Sequence, residues 1–533
     1  MVKSIIYIII LLSISSSGYS QNEIYIKNIY IVRKDVGDGD TSFLGNLMNA
    51  LHFKTLNYVV RQELLFSKNS EISTDLLDET ERNLRALRIF TIAKIELDSI
   101  GYNQYNAIVT TQDSWSTYPL PVFGSSVGYN NYGVELGEYN LFGTGNRLQL
   151  KGIYRQESNI GLEGSLLFFN NRIPGTDFQD SIFIKANKLR TLQQFNLQLP
   201  FRTLSSEYSF GIKAINAFGK DFFFRSSKEY DLIKSNYTAI DLWYSRAWWK
   251  TDRLFLTAYL SLNKAERENT KFRQAFDNSG FFLLNVASIS QEYDIVRNIN
   301  SFQNEDINTG GFGAVSIGKI FPMNSDGENL YYISGYAEKS FLTDKYYLLL
   351  GVGGASGFSK YSTPKYTFQE SLLHYYYKLM SNLLLTGRMH QQAVWNWTAW
   401  RQLIMDTDNG LRGYDLNSLQ GENRLILNTE LRYFVDIEVL YFKPSLVAFF
   451  DIGSVWNQTD KIYDAVFRKS GGVGVRFHFM KSLNPNHSWR LDFPYNFETQ
   501  KFGIIFTINQ MFPSFKNHSF NLPNLFGRII DTE

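Results

Sequence analysis

The sequence contains no cysteine. That excludes disulfides, thiolate metal sites, a thiol nucleophile and the lipid-anchored cysteine of a lipoprotein. Past its first residues it also lacks any long apolar run. A membrane-spanning helix needs ~20 consecutive apolar residues, so none is expected. Neither sign of charge is in excess: 53 basic and 51 acidic residues leave a formal net charge of +2. Nucleic acid is therefore not expected as a partner, since its binders carry a strong basic footprint. The six histidines are scattered, without H-E-x-x-H or other paired metal spacing. No phosphate-binding loop or dinucleotide fingerprint appears, and no cofactor is expected.

Aromatic residues, by contrast, are plentiful. They make up 16% of the 533 residues, with 33 Tyr and 43 Phe. Membrane β-barrels need them for two interfacial girdles. The mean hydropathy of -0.22 would suit a soluble protein. Barrel strands alternate apolar and polar residues, however, so a membrane barrel also averages low.

The N-terminus has the layout of a secretory signal over residues 1–20. Lys3 supplies the positive end and Ile5–Leu12 the apolar core. Ser13–Ser20 are mostly small or polar, and Gly18 and Ser20 suit a cleavage point near Gln21. The alternative, an anchor helix, has too short an apolar run.

Residues 22–113 read as a small α+β domain. Glu23–Val32 alternates in strand fashion. Leu56, Val60 and Leu64 recur at helical spacing. A second helix is expected with Ser73 or Thr74 as its cap and Leu77, Thr80, Leu84 and Leu87 on one face. Ile92–Leu97 and Tyr105–Thr111 read as strands, for an order β-α-α-β-β.

After Pro119 and Pro121 the helical spacing stops. Residues 119–512 repeat strand, polar loop, strand. In Asn146–Arg155, Leu148, Leu150, Gly152 and Tyr154 share one face, and Arg147, Gln149, Lys151 and Arg155 the other. Leu254, Leu256, Ala258, Leu260 and Leu262 form an apolar face. Leu425, Leu427, Leu431 and Tyr433 oppose Arg424, Asn428, Glu430 and Arg432. Phe502, Ile504, Phe506, Ile508 and Phe512 are in register in the last segment. A soluble sandwich or propeller also alternates. Against it stand nearly 400 residues without helical spacing and apolar faces opposed to charged ones. Aromatic clusters also fall near segment ends, at Phe222–Phe224, Trp248–Trp249 and Tyr375–Tyr377. Strands cross a bilayer only as a closed barrel, because every backbone polar group must be paired. About 25 residues per strand and loop gives roughly sixteen antiparallel strands. Residues 513–533 read as a short tail on the periplasmic side.

Four stretches together resemble the BamA/TamA superfamily of outer-membrane assembly and translocation proteins, the bacterial surface-antigen family. Leu77–Phe90 (LDETERNLRALRIF) resembles part of a POTRA domain. Glu138–Leu148 (EYNLFGTGNRL) is similar to the turn-rich stretch early in the family's barrel. Gly410–Tyr433 resembles its inward-folded loop and following strand, and Phe449 to Phe512 its closing strands. The resemblance implies an all-β transmembrane barrel of about sixteen strands preceded by one POTRA-like domain. A single such domain departs from the several found in the general assembly factor. The resemblance also implies that Arg412, in the loop motif Leu411-Arg412-Gly413-Tyr414, points into the lumen and pairs with Asp451. Alternation in Leu446–Gly453 independently places Asp451 on the lumen side. The other reading is a surface turn that happens to contain Arg-Gly.

Two further readings follow. Gly124 and Gly128 in the first strand (Val122–Asn131) and Gly503 in the last (Phe502–Phe512, ending on Phe512) suggest a weak barrel seam that opens sideways. Alternatively, the glycines merely ease curvature. The POTRA-like unit offers a sheet edge for β-augmentation by an extended client, or serves as a spacer or dock. The segment Gly124-Ser125-Ser126-Val127-Gly128 matches a nucleophile elbow, but no helix pattern follows it, so no enzyme is expected. The expected partners are outer-membrane lipid and unfolded or exported polypeptides, with periplasmic or lipoprotein partners as candidates. The competing expectation is a passive or structural barrel without client-handling activity.

Overall fold

In the computed structural model the described chain runs from Glu23 to Phe526. Residues 39–41, 127–128, 157–159, 204, 227–228, 249–252, 303–304, 325–326, 482–487, 509–520 and 524 are not described. The expected signal segment lies outside the described residues.

The N-terminal domain holds β1 (Glu23–Lys34), α1 (Phe43–Leu51), α2 (Asn57–Glu63), β2 (Ser70–Ser73), α3 (Asp75–Ala86), β3 (Phe90–Gly101) and β4 (Gln104–Asp113). Its sheet has the order β2-β1-β4-β3, with β1 and β4 parallel. Ile26, Val60, Leu84, Ala107 and Val109 are fully buried in its core. The expected order β-α-α-β-β thus lacked one helix and the four-residue β2. The second helix starts where expected, but Thr74 at its cap makes no side-chain cap bond. Asp75 and Asp78 in the first turn supply negative charge near its free N–H groups instead.

The rest of the described chain is a closed antiparallel barrel. Its strands are β5 (Thr117–Ser126), β6 (Tyr129–Glu138), β7 (Arg147–Arg155), β8 (Gly161–Asn170), β9 (Gln179–Asn187), β10 (Arg190–Leu199), β11 (Tyr208–Phe224), β12 (Tyr230–Trp248), β13 (Arg253–Arg267), β14 (Ser279–Val296), β15 (Glu305–Pro322), β16 (Leu330–Leu342), β17 (Tyr346–Phe358), β18 (Pro364–Met380) and β19 (Leu383–Trp395). A small ribbon, β20 (Leu403–Met405) with β21 (Leu419–Gly421), sits in the following loop. The wall resumes with β22 (Asn423–Phe434), β23 (Phe442–Trp456), β24 (Arg468–Phe479), β25 (Ser488–Asn496), β26 (Lys501–Phe502) and β27 (Ile505–Ile508). Both β26 and β27 pair with β25 in one register, so they are two pieces of a single closing strand.

The described wall therefore has twenty strands rather than about sixteen. The estimate assumed too much chain per strand. Strands β5 to β10 have only 9 or 10 residues each, and several turns span two or three. The barrel is also lopsided: β11 to β15 have 15 to 19 residues each.

Alternation sets which side chains face outward. On β13, Leu254 and Leu256 are exposed, whereas Phe255, Thr257, Tyr259, Ser261 and Asn263 are buried. On β22, Leu427, Leu431 and Tyr433 face out while Asn428, Glu430 and Arg432 are buried. An apolar outer belt over a polar inner face is the pattern of a membrane barrel. Trp248 and Tyr377 lie exposed near strand ends.

Candidate functional site: the lumenal loop and its joints

The chain between β19 and β22 folds inward. Asp406 shapes it. One carboxylate oxygen of Asp406 accepts the N–H groups of Asp408 (3.0 Å) and Asn409 (2.9 Å), and the other accepts that of Asn417 (2.8 Å). Leu411 N–H donates to Asp406 O at 2.8 Å, and the Thr407 hydroxyl to Tyr414 O at 2.6 Å. Aspartate commonly ties turns in this way, bonding backbone N–H groups a few residues on. Leu411, with Met405, Tyr414 and Ile426, packs into a small apolar cluster under the loop.

Arg412 is fully buried. Its Nε and one Nη donate to the two oxygens of Asp451, at 2.7 and 2.8 Å. The other Nη donates to Glu430 at 2.7 Å and lies 3.6 Å from Asp492. The Phe449 ring lies under the guanidinium, with Cζ 3.6 Å from its centroid. Three wall strands, β22, β23 and β25, thus converge on one side chain. The planar five-donor fork of arginine suits this, because it pairs bidentately with one carboxylate and still reaches a second.

The neighbours extend the network. Asn428, opposite Asp451 in the ladder, donates to Gly410 O (2.6 Å) and to Asp451 (2.8 Å). Arg432 donates to Glu430 at 2.9 Å, and Arg490 lies 3.1 Å from Asp492. Arg476 also contacts Asp492 and lies 3.6 Å from Glu430. Four guanidinium groups therefore share three carboxylates.

Below the arginine, Gly413 donates no side chain and needs none. Its φ of +82° is left-handed, and a Cβ there would sit 3.0 Å from Pro494 Cβ. Its carbonyl accepts from Asn496 at 3.0 Å. The Tyr414 hydroxyl spans the backbone of Lys469, 3.2 Å from both its N and O. Gly413→Ala is expected to destabilise the loop by about 1–2 kcal/mol from the left-handed backbone alone. A lowered unfolding midpoint, read from the gel-mobility shift between folded and heated barrel, would register it. An unchanged midpoint would show that the loop relaxes freely.

Of the residues singled out in the sequence, Leu411, Arg412, Gly413, Tyr414 and Asp451 come together here. Glu430, Arg432 and Asn428 were legible only as an inner face. Asp492 and Arg476 were not singled out, because their roles depend on the loop folding back over the inner faces of β22 to β25.

The seam residues are placed less simply. The first strand is β5, Thr117–Ser126, and Tyr129–Asn131 begins β6, not the end of the first strand. Gly124 lies on β5 opposite Asn131. Gly128 and Phe512 lie outside the described residues. Gly503 sits in the break between β26 and β27, where its N–H donates to Pro494 O at 2.8 Å. Proline has no N–H to give back, so the ladder lapses there. β5 itself carries Pro119 and Pro121, and proline within sheets keeps to edges. Prolines thus interrupt donor positions on the first strand, β5, and on β25, the neighbour of the closing strand. Their signal was in the sequence but was read only as the end of the helical domain.

The N-terminal domain is docked on the turns after β6, β8 and β10. The turn after β6 holds fully buried Asn140, whose Nδ2 donates to Thr55 Oγ1 at 2.8 Å and whose Oδ1 accepts Gly145 N–H at 2.8 Å. Leu56 N–H donates to Gly143 O at 2.8 Å. Phe142 packs edge-on against Phe53, with ring centroids 5.4 Å apart. Asp113, at the end of β4, accepts Thr55 N–H at 2.7 Å and contacts His52 Nε2 at 2.9 Å. Farther along, Arg172 and Arg202 each lie 3.7 Å from Glu63 of α2. Burial pushes the Glu63 carboxyl above its ordinary value, against the pull of Arg202 and Arg172.

No family model and no curated protein matches the sequence. Solved structures do. One is BamA from Haemophilus ducreyi lacking POTRA domains 1-3, at 12% identity and a TM-score of 0.40, covering 90% of this chain and 84% of that one. Another is CdiB from Escherichia coli, at 9% identity and a TM-score of 0.46, covering 90% and 76%. CdiB from Acinetobacter baumannii matches at 11% identity and a TM-score of 0.43, covering 91% and 74%. The chain is similar in fold to these barrel proteins.

Proposed function

We propose that this chain is a BamA/TamA-type outer-membrane protein that inserts or translocates polypeptides, with its barrel in lipid and its N-terminal domain in the periplasm. The observation that carries this reading is the inward loop. Leu411-Arg412-Gly413-Tyr414 lies in the lumen with its arginine on the carboxylates of the wall, which is what the family resemblance implies for that motif. A simple pore needs neither such a brace nor a docked α/β domain. That domain adds an edge strand, β3, whose outer face carries Lys94, Glu96 and Asp98. Extended clients add to such edges through main-chain hydrogen bonds that demand little sequence specificity. Charges on the edge also guard against unwanted pairing. The work would come from client folding and local bilayer perturbation, without nucleotide.

The reading is non-enzymatic. Ser125 and Ser126 end β5, and β6 begins at Tyr129, so the Gly124–Gly128 segment joins two strands rather than opening a helix.

The deciding experiment is depletion of the protein in its own host with quantitation of the outer-membrane proteome. A broad fall in barrel proteins marks a general assembly factor. Loss of one or a few exported proteins marks a dedicated translocator. An unchanged proteome overturns the proposal and leaves a passive or structural barrel.

Lateral opening at the β27–β5 closure is the corresponding route. A disulfide engineered between one cysteine on β5 and one on β27 is expected to block client assembly while leaving a folded barrel. Undiminished assembly with the closure fully crosslinked would remove the gate from the mechanism.

A further inference from the structure

The chain leaves β27 at Ile508 and is next described at Asn521, inside the barrel. The periplasmic tail expected from the sequence is therefore corrected for the described residues: Asn521, Leu522, Leu525 and Phe526 contact the lumen wall. The Thr257 hydroxyl of β13 donates to Asn521 O at 2.6 Å, and Asn285 Nδ2 of β14 does so at 3.4 Å. Phe526 is buried and stacks on Phe368 of β18, with centroids 5.3 Å apart and planes 24° apart. A Cβ on Gly353 of β17 would lie 2.5 Å from Phe526 Cζ, so the wall is notched to admit that ring.

The wall at this place is unusual for a barrel interior. Lumenal faces are generally polar. Here the inward positions include Trp243, Tyr259, Phe281, Leu283, Tyr332 and Phe368, joined in one apolar cluster. Leu522, Leu525 and Phe526 pack against that cluster. Left open to water, such a surface would forgo roughly 25 cal/mol for each Å² of apolar area that the tail covers. The pairing has both parts of a peptide site: main-chain carbonyl recognition by Thr257 and Asn285, and an aromatic cradle that takes a side chain.

We propose that this lumenal cleft is a binding site for a short apolar polypeptide segment, and that the chain's own Asn521–Pro523 and Leu525–Phe526 are its resident, tethered ligand. The site needs an acceptor carbonyl at Thr257 and, a few residues on, an aromatic ring for the Phe368–Gly353 notch. Occupation in cis makes the site self-blocked. On the polypeptide-handling reading, an entering apolar segment must displace the tail; the occupied cleft itself does not depend on that reading.

The test uses two proteins in detergent: the full chain, and a chain ending at residue 520. The probe is a fluorescent synthetic peptide of residues 521–533. The shortened barrel is expected to bind it saturably, and the full chain at least ten-fold more weakly. The same peptide with Leu522→Asp and Phe526→Asp is expected not to bind. Equal binding to both proteins, binding of the Asp peptide, or no binding to a folded shortened barrel would each overturn the proposal. Should the shortened chain fail to fold, the full chain carrying Leu522→Asp and Phe526→Asp opens the cleft instead and is read the same way. Because the sequence has no cysteine, Asn285→Cys with Asn521→Cys provides a clean second readout. A short crosslinker with two thiol-reactive maleimide groups is expected to link them within one chain, and no link would place the tail elsewhere. None of these outcomes depends on the proteome of depleted cells, so failure here and failure of the assembly reading are separable.

Discussion

Arg412→Ala is expected to lower the stability of the folded barrel by about 3–5 kcal/mol, the usual cost of removing one partner from a buried ion pair. The physical reason is what stays behind. Asp451, Glu430 and Asp492 are all buried, and each would lose a cation that now lies within 3.6 Å. The loop would also lose its anchor, since the Arg412 side chain makes its strongest links to β22 and β23. Two measurements check this. The denaturation midpoint of the barrel should fall, and the loop should become open to proteolysis between β20 and β21. Arg412→Lys keeps the charge but not the fork, so it should recover only part of the loss. A native midpoint and an uncut loop in Arg412→Ala would show that the brace contributes nothing. Exchanging the charges, Arg412→Asp with Asp451→Arg, is a weaker test. The new aspartate would face Glu430 and Asp492, so only partial rescue is expected.

Gly143→Ala should detach the N-terminal domain from the barrel. Gly143 has a φ of +74°, and a Cβ there would lie 2.5 Å from the Lys54 carbonyl oxygen. Left-handed backbone costs a side chain about 1–2 kcal/mol, and the backbone overlap cannot be relieved by a rotamer change. The Leu56–Gly143 hydrogen bond and the Phe53–Phe142 contact would then part together. Asn140→Ala should act in the same direction, because it strands Thr55 and the Gly145 N–H in a buried place at ~1–3 kcal/mol each. Distances between a spin label on the domain and one on the barrel should broaden in both variants. An unchanged narrow distribution would mean that the Arg172–Glu63 and Arg202–Glu63 contacts suffice to hold the domain.

These predictions draw on different depths of the sequence. Period-two alternation made the barrel legible, because a pleated strand sends neighbouring side chains to opposite faces whatever lies around it. Leu427 and Leu431 outward with Glu430 and Arg432 inward could be read directly. So could the inward placement of Asp451. The strand number could not, because it depends on turn lengths, and short turns such as the one between β9 and β10 leave little composition signal. Helix α1 was missed although Leu44, Leu47 and Leu51 recur at helical spacing; Gly45, Asn46 and Asn49 between them are weak helix formers.

What the sequence determined by itself is local: which residues alternate, where helical spacing begins and ends, and that Asp451 lies on the inner face of its strand. What only the tertiary structure decided is which distant residues share a place. Asp451 and Asp492 meet Arg412 because the loop folds back over the inner faces of β23 and β25. Asn140 meets Thr55 because a barrel turn and a soluble domain dock. Asn521 and Phe526 lie on Thr257 and Phe368 because the end of the chain enters a lumen whose aromatic wall no single strand displays. Hydrogen bonds and apolar burial are short-ranged, and the chain carries no local mark of partners that lie dozens to hundreds of residues away.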